Sequence, residues 1–223
     1  MKTLVITNRK DFRLFSLIAP LQEIMEVGFS QFPDENSIRE YKPDIILSDF
    51  SIDGAYDLKL IGKFPPFVNY SVFREPKLDT RFTSDITYLG PLSDIPDLLA
   101  LTKYNLRHFD SSPSMTPYYS GSIHINNCFT AYRAAKVCPV PANDIGYREL
   151  DIIIAEGNPV RYTNREQFLR DCESGISGKK FKGRMSKSVI LKHHTNYDRI
   201  SEILESIGKK SVADLIRKRK NEN

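Results

Sequence analysis

Several side chains stand where their type and spacing suit group-transfer chemistry. Asp49 directly follows the apolar run Ile45–Ser48, Asp53 lies four residues on, and Asp11 comes after the first apolar run, Leu4–Thr7. An aspartate at the end of a strand can take the proton of a hydroxyl nucleophile; each of these can equally close an Asx-turn. Further along, Asn143-Asp144-Ile145-Gly146-Tyr147-Arg148-Glu149 joins a glycine to an acid over one turn. A carboxylate accepts two adjacent hydroxyl protons at once, and N–H groups opening a helix favour a phosphate. Arg133 and Lys136 supply cations for a phosphate or for a solvated helix face. Tyr118 and Tyr119, in a loop rich in Ser, Pro and Tyr, can stack on a base, a contact worth ~1–3 kcal/mol, or simply pack. Near the end stands His194-Thr195-Asn196-Tyr197-Asp198-Arg199, in which Thr195 can cap the helix that follows.

The bulk numbers leave room for these sites without naming them. A chain of 223 residues, 40% hydrophobic and 27% charged, is ordinary for one large globular domain or two small ones. No apolar run approaches the ~20 residues that cross a bilayer. The apolar part of Met1–Thr7 is far shorter than a secretory signal and reads as a first strand, so a cytoplasmic location is expected. Three cysteines, Cys128, Cys138 and Cys172, are odd in number and lack metal spacing; reduced, half-buried thiols are expected. The four histidines lack the i, i+4 pairing of a zinc helix, and no metal site is expected. The net charge is +4, yet the stretch from Lys179 onward is strongly basic. That excess is either a solvated helical face or an attraction to a polyanion such as nucleic acid.

These residues need elements to position them. Leu4–Thr7, Val27–Phe32, Asp44–Ser48 and Phe67–Phe73 read as strands. Helices fall between them: one from Phe12 to Met25, kinked or split at Pro20, and a brief one from Asn36 ending before Pro43. A second unit opens near Asp85 with strand Ile86–Leu89, a helix over Ile95–Tyr104 and extended Leu106–Phe109. Strand Ile123–Asn126 follows, then helix Phe129–Val137 and extended Val137–Ala142, where Pro139 and Pro141 suggest an edge or irregular strand. Strand Pro159–Tyr162 precedes a helix that Thr163 and Glu166 open as a capping box. Helices over Lys180–Lys192, Asn196–Ile207 and Ser211–Lys220 end the chain. Alternating strands and helices predict an α/β fold with parallel sheets: an α/β unit over 1–82, a second over 83–194, and C-terminal helices over 195–223 that pack back on the first. A single continuous sheet is the alternative.

From Ile123 to Arg161 the order is strand, small-residue helix, strand, a turn carrying Glu149, strand. With the closing His-Thr-x-x-x-Arg, this layout resembles the nucleotide-sugar-binding half of a GT-B glycosyltransferase, and most of all the CgeB-like (spore-maturation) branch of that superfamily. The resemblance implies two small Rossmann-like units and metal-independent transfer from a nucleoside-diphosphate sugar, with no further cofactor. It makes Glu149, after Cys138-Pro139-Val140-Pro141, the acid that accepts hydrogen bonds from ribose hydroxyls. Gly146, Tyr147, Arg148, Arg133, Lys136, Asn126, Tyr118 and Tyr119 become the other donor-binding residues. His194, Thr195 and Arg199 become a structural signature at the domain junction, and Asp49, Asp53 or Asp11 the base on the acceptor side. Where the superfamily has an acid and a glycine around the small pair Ala134-Ala135, this chain has Tyr132 and Val137.

The acceptor is not written in the donor half. The basic last quarter, with Arg9, Lys10 and Arg13, suits DNA bearing hydroxylated bases. A non-catalytic nucleic-acid-binding or regulatory protein on a degenerate GT-B core is the alternative, favoured by Tyr132. A response-regulator-like module fits less well, because regular five-fold βα alternation is lacking.

Overall fold

The computed structural model of the chain describes residues 1–8, 12–58, 66–71, 73, 75–110, 116–144 and 146–222, with the backbone alone at 12, 13, 125 and 126. In chain order the elements are β1 (Lys2–Ile6), α1 (Phe12–Gln22), β2 (Glu26–Ser30), α2 (Glu35–Tyr41), β3 (Ile45–Ser48), β4 (Tyr56–Asp57), β5 (Ser84–Leu89), β6 (Leu106–Phe109), α3 (Ile125–Ala134), β7 (Ala135–Val140), α4 (Tyr147–Ile154), β8 (Pro159–Arg161), α5 (Arg165–Ile176), α6 (Lys187–His193), α7 (Asn196–Ser206) and α8 (Lys210–Glu222).

The strands form two parallel four-stranded sheets, β2-β1-β3-β4 and β6-β5-β7-β8, rather than one. Each belongs to its own compact unit: unit 1 is Met1–Ser71 with His193–Asn223, and unit 2 is Val72–Lys192. In both, the first strand pairs with the second on one side and the third on the other. Strand order therefore reverses beside β1 and beside β5. The crevice beyond the carboxyl ends of such strands is where open α/β sheets bind ligands.

Unit 1 is discontinuous in sequence. Apolar residues of α1 (Leu14, Leu17, Ile18, Leu21), of β1 and β3 (Val5, Ile6, Ile45, Leu47) and of α7 (Tyr197, Ile200, Ile203, Leu204) are all buried. Helix α7 packs against both α1 and α8. Its start is fixed by Thr195, which caps it in a capping box with Asp198. Pro20 stays inside α1. Having no N–H, it leaves the carbonyl of Ser16 without its helical donor. The side-chain amide of Asn196 fills that vacancy at 2.8 Å. The same carboxamide donates to Ser71 Oγ at 3.0 Å and accepts from the backbone N–H of Tyr70 at 2.9 Å. Asn196 is wholly buried.

Unit 2 surrounds Ile86, Tyr88, Leu98, Val137, Val160, Phe168 and Cys172. Burial pushes the Cys138 thiol up to about 12, so it stays protonated. Cys128, Cys138 and Cys172 are free.

The structure corrects several sequence-based expectations. Ile123–Asn126 is no strand: α3 begins at Ile125, and two apolar–polar repeats are too few to separate a strand from a helix start. Ala135–Val137 leaves the helix for β7, which is internal rather than an edge. Pro139 is tolerated there because Cys138 donates to Asn158 on the β8 side, turning the proline nitrogen to the β5 side, beyond the Ile86–Val137 pair. Pro96–Leu101 is a 3₁₀ turn, not an α-helix. Among the described residues of Phe67–Phe73, the one pairing is an isolated bridge, Val68 to Thr195. Asn164, not Thr163, caps α5, because its side chain reaches the N–H of Gln167 at 2.9 Å. The helix expected over Lys180–Lys192 is confined to its last turns; its first part is neither helix nor strand and is held by contacts described below. No helix among the described residues is long and apolar enough to cross a membrane.

Replacing Asn196 by Ala orphans the Ser16 carbonyl and leaves the Tyr70 N–H with its longer bond to the Val68 carbonyl, and should cost about 1–3 kcal/mol in denaturant melts. In a Pro20→Ala background the new helical N–H reaches Ser16, so the cost of Asn196→Ala should fall by about 1 kcal/mol in a double-mutant cycle.

Candidate functional site

The richest polar constellation in unit 2 lies at the carboxyl edge of its sheet, around the turn from β7 into α4. Gly146 is the N-cap, in the left-handed region at φ 115°. Asp144, two residues earlier, accepts from the N–H of Gly146 at 3.0 Å and of Arg148 at 3.4 Å. Its carboxylate thus sits on the amides that open α4. These were expected to receive a phosphate; the chain supplies its own anion there instead.

Arg148 reaches across to the end of β5. Its guanidinium lies over the Tyr88 ring, 5.1 Å from the centroid, and donates to the Tyr88 hydroxyl at 3.3 Å. That approach requires Gly90: a Cβ there would fall 2.6 Å from Arg148 Nη2, and the residue also has φ 133°. Desolvation drives the Tyr88 hydroxyl up to about 12, so it remains a neutral donor to the Pro91 carbonyl.

Glu149 is 6% exposed. It accepts from Arg161 Nη2 at 2.5 Å and from the backbone N–H of Arg184 at 3.1 Å, with Arg184 Nε 3.6 Å away. Arg161, at the end of β8, also donates to the Asp144 carbonyl at 3.1 Å. Asp144, Arg148, Glu149, Arg161 and Arg184 are therefore one hydrogen-bonded group. Sequence reasoning found Gly146, Arg148 and Glu149 but missed Asp144, Arg161 and Arg184. Asp144 was readable, since Asp-x-Gly before a helix is a capping pattern. The two arginines arrive from other elements and carry no local signal.

Asp151 was also missed. It is a half-buried acid on α4. Burial raises its carboxyl to about 7; the charge of Asp144 adds to the shift and that of Arg148 opposes it.

Other expected donor residues lie elsewhere or are engaged in packing. Arg133 lies in the last turn of α3 and Lys136 near the start of β7, at the amino edge of the sheet. Arg133 pairs with Glu156 at 3.2 Å and donates to the Pro76 carbonyl; Lys136 pairs with Asp85 at 2.8 Å. The structure does not bring them to Glu149. Tyr118 packs on the core, its carbonyl bonded to the N–H of His108. Tyr119 stands beside the His108 ring and donates to the Asp110 carbonyl. Tyr147 is half-buried in the first turn of α4. Asn126 lies in α3, its side chain outside the described residues. Tyr132, in place of the superfamily's acid, is 4% exposed.

In unit 1, Asp49 follows β3 as expected. It is bonded by the Thr7 hydroxyl from the end of β1, and its backbone N–H donates to the Ile6 carbonyl at 3.0 Å. With Phe50, Ser51, Ile52, Ala55 and Asp57 it lines a cavity of about 90 Å³. Asp53 is exposed in the following turn, and Asp11 lies outside the described residues.

His194 accepts from Arg199 at 2.8 Å through Nδ1, an acceptor there because a guanidinium only donates. Burial and then the Arg199 charge hold its pKa below the ordinary value. Arg199 is buried and also pairs with Glu202 at 2.6 Å. Among the described residues no group of three His, Cys, Asp or Glu side chains gathers to hold a metal.

No family model, curated protein or solved structure matches this chain. The site has to be read from its own geometry.

The raised Asp151 carboxyl gives a pH test. The folded chain keeps the proton up to about pH 7, while the unfolded chain loses it near the ordinary carboxylate value. Stability therefore falls as pH rises between those values. Asp151→Asn should stabilise the protein by about 2 kcal/mol more at pH 8 than at pH 5, measured by urea melts at each pH.

Proposed function

We propose that the chain is a metal-independent glycosyltransferase of GT-B type, taking a nucleoside-diphosphate sugar at the carboxyl edge of the unit 2 sheet. The observation that carries this reading is the group Arg148, Glu149, Arg161 and Arg184 at the end of β7, beside the strand-order reversal. Two guanidinium groups at Glu149, those of Arg161 and Arg184, with that of Arg148 nearby on the Tyr88 ring, suit a diphosphate and an adjoining ribose. Because Asp144 occupies the α4 amides, the leaving diphosphate is neutralised by guanidinium groups rather than by backbone N–H groups. Glu149 keeps free lone pairs beyond the two donors it already serves, and these accept from the ribose hydroxyls. The repeated strand order of units 1 and 2 supports the GT-B architecture. On unit 1, Asp49 remains the best candidate base, since it directly follows β3 and lines a cavity. The acceptor in this reading is a hydroxyl, with a hydroxylated base in DNA as one candidate.

A second reading, a non-catalytic nucleic-acid-binding or regulatory protein, is favoured by one specific observation: both oxygens of Glu149 already have donors.

Thermal melts with UDP, GDP, CDP and ADP separate the two. A ligand present at 100 times its Kd adds ~2.7 kcal/mol to the native state, which raises Tm by roughly 5–10 °C for a chain of this size. One nucleoside diphosphate should do so, and Arg148→Ala should remove the shift. Slow release of free sugar from the matching nucleotide-sugar should accompany it. No shift with any of the four, and no sugar release, would end the glycosyltransferase reading.

A further inference from the structure

Most cations of α7 and α8 are paired with carboxylates. Arg217 pairs with Glu205, Arg219 with Glu23, Lys220 with Asp198 and Arg199 with Glu202. The segment between α5 and α6 differs. From Lys179 to Ser186 it has neither helix nor strand, and exposure alternates residue by residue from Lys180 to Ser186. Lys180, Lys182 and Arg184 are the exposed members, and Phe181 and Gly183 the half-buried ones. Among the described residues, neither Lys180 nor Lys182 has a carboxylate in ion-pair range; Arg184 has only the far side of Glu149 at 3.6 Å.

This strap is fastened from inside. Asn158, 1% exposed, accepts from the N–H of Phe181 at 2.8 Å and donates to the Lys179 carbonyl at 2.9 Å. Glu149 holds the N–H of Arg184. Phe181 packs on the unit 2 core. Gly183 passes so close to Ile153 that a Cβ would lie 2.1 Å from its Cδ1. Two buried polar side chains, a half-buried aromatic and a closely packed glycine thus hold the backbone and leave three cations outward at alternate positions.

We propose that the strap Lys179–Arg184 is a binding surface for the phosphate backbone of nucleic acid. Its exposed cations stand at alternate positions of one short stretch, and where such a stretch is extended their spacing of ~6.6 Å is comparable to that of successive phosphates along a strand. A lone phosphate would need them to converge. A membrane surface would need apolar side chains to insert beside them, whereas Phe181 is turned into the core. Because the backbone is already fixed, little ordering entropy opposes binding. The proposal does not rest on glycosyl transfer: a chain that binds no nucleotide-sugar would still use this surface.

The test is fluorescence anisotropy with a short labelled DNA duplex and no sugar donor present. Each phosphate contact adds about 0.9 to the slope of log affinity against log salt. Three contacts weaken binding roughly 40-fold between about 50 and 200 mM salt. Lys180→Gln/Lys182→Gln should lower the slope by about 1.8, with Tm unchanged because both side chains are exposed. Lys209→Gln/Lys210→Gln, which removes the same charge from the start of α8, should leave the slope as it was. Absence of salt-dependent binding overturns the proposal. So does an equal loss in the two double variants, which would make binding an effect of overall charge. Tighter retention on vesicles rich in anionic lipid than on DNA overturns it in favour of a membrane surface.

Discussion

The carbonyl of Ser16, deprived of its helical donor by Pro20, is met by the side-chain amide of Asn196, 180 residues later in the chain. That bond ties together the two sequence segments that make up unit 1. Its sheet comes from the first 71 residues, but α7, which packs on α1, and α8, which packs on α7, come from the last 31. A buried carboxamide with every donor and acceptor used is costly to misplace. The N-terminal segment and the C-terminal helices can therefore join in one register only. Thr195 capping α7, Val68 bridging to Thr195, and Tyr197 reaching Glu23 at 2.6 Å all follow once Asn196 is seated.

Unit 2 uses the same device twice. Asn158 and Glu149, both nearly buried, hold the segment after α5 by its backbone, not by its side chains. The result is a stretch whose backbone is committed inward and whose lysines are left outward. Glu149 also anchors Arg161 and so the loop that begins α4. One carboxylate thus couples the carboxyl edge of the sheet to the basic strap, and both proposals depend on elements that this acid holds in place.

Electrostatics also rearranges what composition suggests. A net charge of +4 with a basic end reads as a diffuse attraction to polyanions. In the folded chain most cations of α7 and α8 face carboxylates, some from distant elements such as Glu23. Among the described cations that keep no carboxylate, Lys180 and Lys182 stand together on the strap. Similarly, the helix N-terminus that looked ready for a phosphate is already capped by Asp144.

By itself the sequence determined the α/β class, the strands β1, β3 and β5, the Thr195 cap and the turn that carries Gly146 and Glu149. These depend on hydrophobic runs and on capping chemistry, which act over a few residues. It misread Ile123–Asn126 and Pro139, where local pattern is short or ambiguous and the neighbouring strand decides. Only the tertiary structure decided that Arg161 and Arg184 meet at Glu149, that Arg133 and Lys136 lie at the other edge of the sheet, and that Asn196 serves Ser16. Those pairings arise from burial, where a polar group must find whichever partner the packing brings near, and no local spacing encodes which residue that will be.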